Sequence, residues 1–241
     1  MLHRTIGRTL NLLKPLVGIA ALLYTPAAAE VLWRTAIRLS TELPFLAYFL
    51  AGLGGYGVVW GLALRRWSIS WLSTFEHELT HALFAILTFN KVTGLKATLR
   101  HGGHTEYQGT AHWLIHLGPY FFPTANTLLL VPMMWVPETT LPWMFLAQGV
   151  AMGYHLASTY TETHLHQKDL KLAGYGFCLA FLPFANLLSL ALLLNGLAHG
   201  ATGLGWVFSA LIHADLKPDP WVHAAVAYVT QRLSPFLTSG W

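Results

Sequence analysis

The sequence predicts an all-α membrane protein, a polytopic bundle of six to seven transmembrane helices with one short membrane-associated β-hairpin. Three observations predict it. Of the 241 residues, 54% are hydrophobic and only 10% are charged, against roughly 25% charged in an average soluble domain. Apolar windows of roughly 20 residues, the length needed to cross a hydrocarbon core of about 30 Å, recur along the chain. Between two of those windows lies a polar, glycine-bearing stretch whose β-favouring residues alternate loosely, as paired strands do.

The first window runs from Pro15 to Trp33 behind a basic start containing Arg4, Arg8 and Lys14. With Ala27, Ala28 and Ala29 near its end, this start resembles a secretory signal and its small-residue cleavage site. A first span that stays attached is the preferred reading, because everything after it is also membrane sequence. Further windows cover Leu43 to Leu64 and Trp67 to Phe89. Residues 90–112 then break the pattern, with Gly102 and Gly103 as the centre of a hairpin. Helical windows resume at Trp113 to Val136, Leu141 to Tyr160 and Leu172 to Leu194, with a shorter one at Gly203 to Ile212. Residues 220–241 read as an amphipathic helix that lies on the interface or adds a short span. Short connections leave room for one integral membrane domain over 1–241, divided into N-terminal helices (1–66), a chemical core (67–195) and C-terminal helices (196–241).

The net charge of +4 does not point to nucleic acid, because Lys and Arg are scattered singly through short loops. Anionic lipid headgroups are the simpler partner. Ten Trp and nine Tyr suit helix ends at the bilayer interface. Cys178 is the single cysteine, so the chain has neither a disulfide framework nor a thiolate metal site. If every span is real, most of the Lys and Arg, among them Arg34, Arg38, Lys91 and Lys168, share one side, which would be cytoplasmic.

The chemistry is concentrated in "STFEHELTHALFAI", residues 73–86. An ionisable group in mid-membrane costs roughly 2.5 to 3.5 kcal/mol on insertion scales, so such a group is a candidate functional residue from the outset. On a helix, His77 and His81 stand one turn apart on the same face and can reach one ion, with Glu78 beside it. This is the HExxH arrangement. Neutral imidazole is a good zinc ligand, and a carboxylate next to an open coordination position can take a proton from water. Glu76 falls off that face and reads as a helix-pairing or supporting residue.

Two histidines leave the ligand set incomplete. The run "HLASTYTETHLHQKDLKLAG", residues 155–174, offers Glu162, His166 and Asp169 at i, i+4 and i+7, which would form one stripe if the segment were helical. Asp169 reads equally well as an acidic residue favoured at a helix start.

With "HELTH" inside a span, the glycine-bearing hairpin "TGLKATLRHGGHTEYQG", the stretch "GPYFFPTAN" and an Asp in "HQKDLKLAG", the chain resembles the site-2 proteases, especially their short bacterial relatives without a PDZ domain. The likeness covers approximately residues 67–195. It implies zinc held by His77, His81 and Asp169, Glu78 as the base, transmembrane proteins as substrates, and a multi-pass protein of the bacterial inner membrane. One departure concerns the third ligand: family members usually have Asp-Gly there, whereas Leu170 follows Asp169. His166 or Glu162 could take its place.

Two rival functions start from the same residues. Paired histidines (His101 with His104, His112 with His116, His164 with His166) raise a di-iron desaturase or hydroxylase, although the HxxHH box of such enzymes does not occur. The other rival is a non-catalytic zinc-binding scaffold, against which the presence of Glu78 argues. For the donor that stabilises an oxyanion, the candidates are Asn126, Asn186 or a nearby histidine.

Overall fold

Backbone N–H and C=O groups surrounded by hydrocarbon must pair internally, which favours helices. The computed structural model, which describes residues 2–42, 46–64, 70–98, 102–133 and 135–213, is accordingly dominated by them. In chain order it consists of α1 (Leu2–Glu42), α2 (Leu46–Val59), α3 (Ser70–Leu87), β1 (Lys91–Thr98), β2 (Gly102–Gln108), α4 (Trp113–Leu117), α5 (Thr124–Met133), α6 (Leu141–Glu162), α7 (Lys168–Ala173) and α8 (Tyr175–Ile212). The amphipathic segment expected at 220–241 lies outside the described residues, as do Arg65, Arg66, Arg100 and His101.

Among the described residues, three helices are long and apolar enough to cross a membrane: Leu2–Ser40, Leu46–Ala63 and Tyr175–Ile212. A fourth span is formed if Trp113–Tyr120 and Thr124–Met133, bent by 75° about a short break, count as one. The expected six to seven spans are therefore not reached among the described residues. α3 and α6 have the length, but α3 carries the two glutamates and two histidines of its motif, and α6 carries Gln148, His155 and a run of hydroxyl residues. The expected windows 172–194 and 203–212 fall on two helical stretches of α8, the second folded back on the first, so that Gly203 meets the Asn195 carbonyl and Val207 clusters with Ala191. Gly174, at φ 83°, ends α7 before α8 begins, and Gly200, at φ 57°, is the non-helical residue at the kink that separates the two stretches of α8. Both glycines occupy the left-handed region that side chains avoid.

The helices are joined by small residues and buried polar pairs, as expected where the surroundings are as apolar as the side chains. Gly52 of α2 meets the backbone of α6 at Leu146, and Gly149 of α6 meets that of α2 at Phe49, so closely that a Cβ at either position would collide. Asn195 of α8 donates to the Thr35 hydroxyl of α1 at 2.8 Å, and both residues are fully buried. Asn126 of α5 donates to the Gln148 side chain of α6, also at 2.8 Å. Glu76 accepts from the Ala125 backbone N–H at 2.9 Å, so it ties α3 to the start of α5. This is the helix-pairing role its off-face position suggested.

An apolar core of Trp113, Leu117, Leu170, Ala173, Cys178 and Phe181 draws α4, α7 and α8 together. That packing brings the loop after α6 back over α3. β1 and β2 form an antiparallel pair in which Leu95 faces Thr105 and Lys96 faces His104. The register shifts between Val92 and Gly94, so Thr93 is an extra residue that bends β1. Gly102 and Gly103 open β2 instead of forming the turn; the residues between the strands, 99–101, lie outside the described ones.

Candidate metal centre

His77 and His81 leave α3 on one face, with ring centroids 4.7 Å apart. Each ring is held at its far nitrogen. His77 Nδ1–H donates to Glu162 Oε2 at 2.6 Å, and His81 Nδ1–H donates to the carbonyl of Ile115 at 2.8 Å. The Ile115 carbonyl is available for a physical reason: its α-helical partner would be the N–H of residue 119, which is a proline and has none. Gly118, just before it, lies against the ring of Phe84, where a Cβ would overlap the phenyl carbons. The Gly-Pro pair thus brings α4 against α3 and supplies an acceptor for His81.

With Nδ1 protonated and engaged, each imidazole in the neutral form that a metal ion would require directs its Nε2 lone pair towards Asp169. The Nε2 atoms of His77 and His81 lie 3.6 and 3.5 Å from Asp169 Oδ2. The second oxygen of that carboxylate, Oδ1, accepts from His116 Nδ1–H at 3.1 Å. Burial alone would raise the Asp169 pKa, but the hydrogen bond from His116 and the nearness of the His77 and His81 rings hold it well below the usual carboxylate range. Asp169 therefore presents a charged oxygen to the two rings. Glu162 is itself braced by the Ser73 and Ser158 hydroxyls.

The three groups fit a divalent ion. Ligand atoms 2.0–2.1 Å from a tetrahedral zinc stand about 3.3 Å apart, close to the two His–Asp separations. Their nearest donor atoms all lie within 4.8 Å of one another. Engaged outer nitrogens are also the usual support for metal-bound histidines, because they fix the tautomer and the ring direction. Glu78 lines the same cavity, about 590 Å³, together with Gly103, His104, Thr105 and Tyr107 of β2. A larger apolar cavity of about 1200 Å³ lies among α5, α6 and α8, and none of the site residues is on its walls.

The stripe of Glu162, His166 and Asp169 does not form. Glu162 ends α6, Asp169 sits in the first turn of α7, and the chain turns between them. Of the alternatives for a third ligand, Glu162 holds the outer nitrogen of His77 and His166 is exposed. The histidine pairs expected for a di-iron site do not converge: among the described residues, one group of three, His77, His81 and Asp169, has ligand-like proximity. His112 is buried without a partner for either ring nitrogen, and burial, aided by His116, pushes its pKa down to about 4. Neither Asn126 nor Asn186 reaches the cavity; the first is spent on Gln148 and the second on the carbonyls of Tyr120 and Leu182.

Sequence reasoning missed His116 and Ile115 as supports, and it treated Glu162 as a rival ligand instead of a brace. Proline at 119 was the available signal for the free carbonyl. Replacing Glu162 with Ala is expected to weaken zinc affinity by about 10- to 100-fold, in line with the loss of an outer-shell partner. Competition against a calibrated chelator measures it.

Residues 49–164 match the family described as Peptidase M50B-like. This segment, just under half of the chain, is similar to the site-2 protease family. No curated protein and no solved structure matches the chain significantly. The site-2 protease match includes His77, Glu78, His81 and Glu162 and ends before Asp169. Together with the apolar helices, it supports a membrane metalloprotease in general, and such a family implies a metal.

Proposed function

We propose that the chain is a zinc-dependent intramembrane metalloprotease that hydrolyses peptide bonds of membrane-protein substrates. His77, His81 and Asp169 hold the ion, and Glu78 is the general base. The observation that carries this reading is the convergence of His77 Nε2, His81 Nε2 and Asp169 Oδ2, each residue tied behind by a separate partner, on the cavity that Glu78 also lines. Zinc bound there supplies Lewis acidity, which polarises the scissile carbonyl and makes water nucleophilic at neutral pH.

The protein's own groups do the rest. Glu78 takes a proton from the attacking water on its carboxylate and returns it to the departing amine as the C–N bond breaks. Of the expected donors to charge developing on the carbonyl oxygen, His104 and His116 stand on the cavity wall, His104 with its Nε2 3.1 Å from Glu106 and His116 engaged by Asp169. A helical substrate must unwind before its carbonyls are accessible, and the β1–β2 hairpin offers strand edges along which the extended segment can add. The whole chain acts as one membrane domain with 67–195 as its catalytic core. Its likeness to short bacterial family members supports a place in a bacterial inner membrane, with transmembrane proteins as substrates and the lipid bilayer as a partner.

The di-iron reading lacks a second group of ligands among the described residues, and the scaffold reading gives no reason for Glu78 to face the cavity. Metal analysis of the purified protein is expected to find one zinc per chain. Cleavage of a fluorescence-quenched single-span peptide in liposomes should stop with chelator and return with zinc. Two irons per chain, or cleavage indifferent to chelation, would overturn the proposal.

A further inference from the structure

The cavity has a second wall whose purpose the metal ligands do not explain. β2 lies directly on α3 at Glu78. The Thr105 hydroxyl is 2.8 Å from Glu78 Oε2 and 2.7 Å from the backbone carbonyl of the same residue. A hydroxyl has one proton, so it donates to one acceptor at a time, and the bond to a charged carboxylate is the stronger. Holding the carboxylate and the backbone of one residue through a single atom fixes where that carboxylate sits relative to its own helix.

Gly103 stands two residues before Thr105 and so on the same face of the strand. A Cβ there would lie 2.6 Å from Glu78 Cγ, 2.7 Å from Thr74 Cγ2 and 2.8 Å from the Lys96 carbonyl. Only glycine lets the strand come close enough to α3 for Thr105 to reach. Glu78 is buried, with 7% of its surface exposed, so little water competes for its oxygens.

We propose that Thr105 is a positioning residue for Glu78, and that β2, through Gly103 and Thr105, is part of the machinery that aims the base. This rests on the reading of Glu78 as the general base. It gives the hairpin a duty separate from holding substrate: a strand edge offered to substrate governs binding, whereas Thr105 governs the proton-transfer geometry. A base displaced by about 1 Å can lose on the order of 100-fold in rate.

The test uses the full-length protein in liposomes, with the quenched single-span peptide as probe and zinc content measured on each preparation. Thr105→Val keeps the shape of the side chain and removes the hydroxyl. It is expected to lower kcat by about 10- to 100-fold, with KM and zinc content unchanged. Thr105→Ser restores most of the rate, and Gly103→Ala lowers kcat in the same manner as Thr105→Val. In a Glu78→Gln background, Thr105→Val adds no further loss, because the two residues act as one unit. A Thr105→Val enzyme with wild-type kcat beside an inactive Glu78→Gln enzyme overturns this inference and leaves the base assignment standing. Loss of zinc or a raised KM in Thr105→Val also overturns it, in favour of a structural or substrate-binding role. An active Glu78→Gln enzyme overturns the reading on which both depend.

Discussion

Glu78→Gln is expected to abolish peptide cleavage while leaving one zinc per chain. Gln has the size of Glu and still presents an oxygen to Thr105, so the contact from β2 survives the replacement. It cannot take a proton from water at neutral pH. A positioned general base is typically worth 10²- to 10⁴-fold, so the residual rate should fall below about 1% of wild type. Neither ligand histidine depends on Glu78, since their outer nitrogens are held by Glu162 and Ile115. Glu76→Gln is the matching control. Two residues earlier on α3, Glu76 accepts from the Ala125 N–H and does not line the cavity. Its loss should lower thermal stability and leave kcat near wild type. If the two variants behave alike, the proposed division of labour on α3 is wrong.

How much of this was legible in the sequence depends on how local each signal is. The HExxH pair needs four residues of helix, and helical geometry alone brings His77 and His81 together; that part could be read directly. The hairpin was also legible from its alternation, although Gly103 turned out to be required for contact with Glu78 and not for the turn. Asp169 was different. Its contact with α3 is made by α4, α7 and α8 closing around Trp113, Leu170 and Phe181, an arrangement that no spacing rule encodes. The supports of the site have the same character: His77 and Glu162 are 85 residues apart, and His116 and Asp169 are 53 apart. The i, i+4, i+7 stripe failed because it assumed one helix through 162–169, whereas α6 stops at Glu162. The span count was not reached among the described residues for a related reason. Apolar windows measure composition, whereas Gly174 and Gly200 decide by backbone conformation where helices begin, end and bend.

Asp169→Ala is expected to remove zinc altogether at concentrations that saturate the wild type. Losing an outer-shell partner weakens affinity by about 10- to 100-fold, and losing one of three ligands should exceed that range. The surrounding geometry supports the larger effect, because without the carboxylate the two Nε2 lone pairs face open cavity and His116 loses its acceptor. Asp169→Asn separates charge from shape. It keeps an oxygen near the same place, yet a neutral amide neither balances a divalent charge nor accepts as strongly from His116. Its affinity should fall between wild type and Asp169→Ala. His116→Ala should resemble Glu162→Ala, since each removes a brace and not a ligand. His166→Ala should bind zinc as the wild type does, because that exposed ring takes no part in the cluster. Chelator competition across these variants orders them by role. Should His166→Ala lose zinc while Asp169→Ala keeps it, α7 would have to be displaced from α3 in the working enzyme, and the ligand set would be His77, His81 and His166.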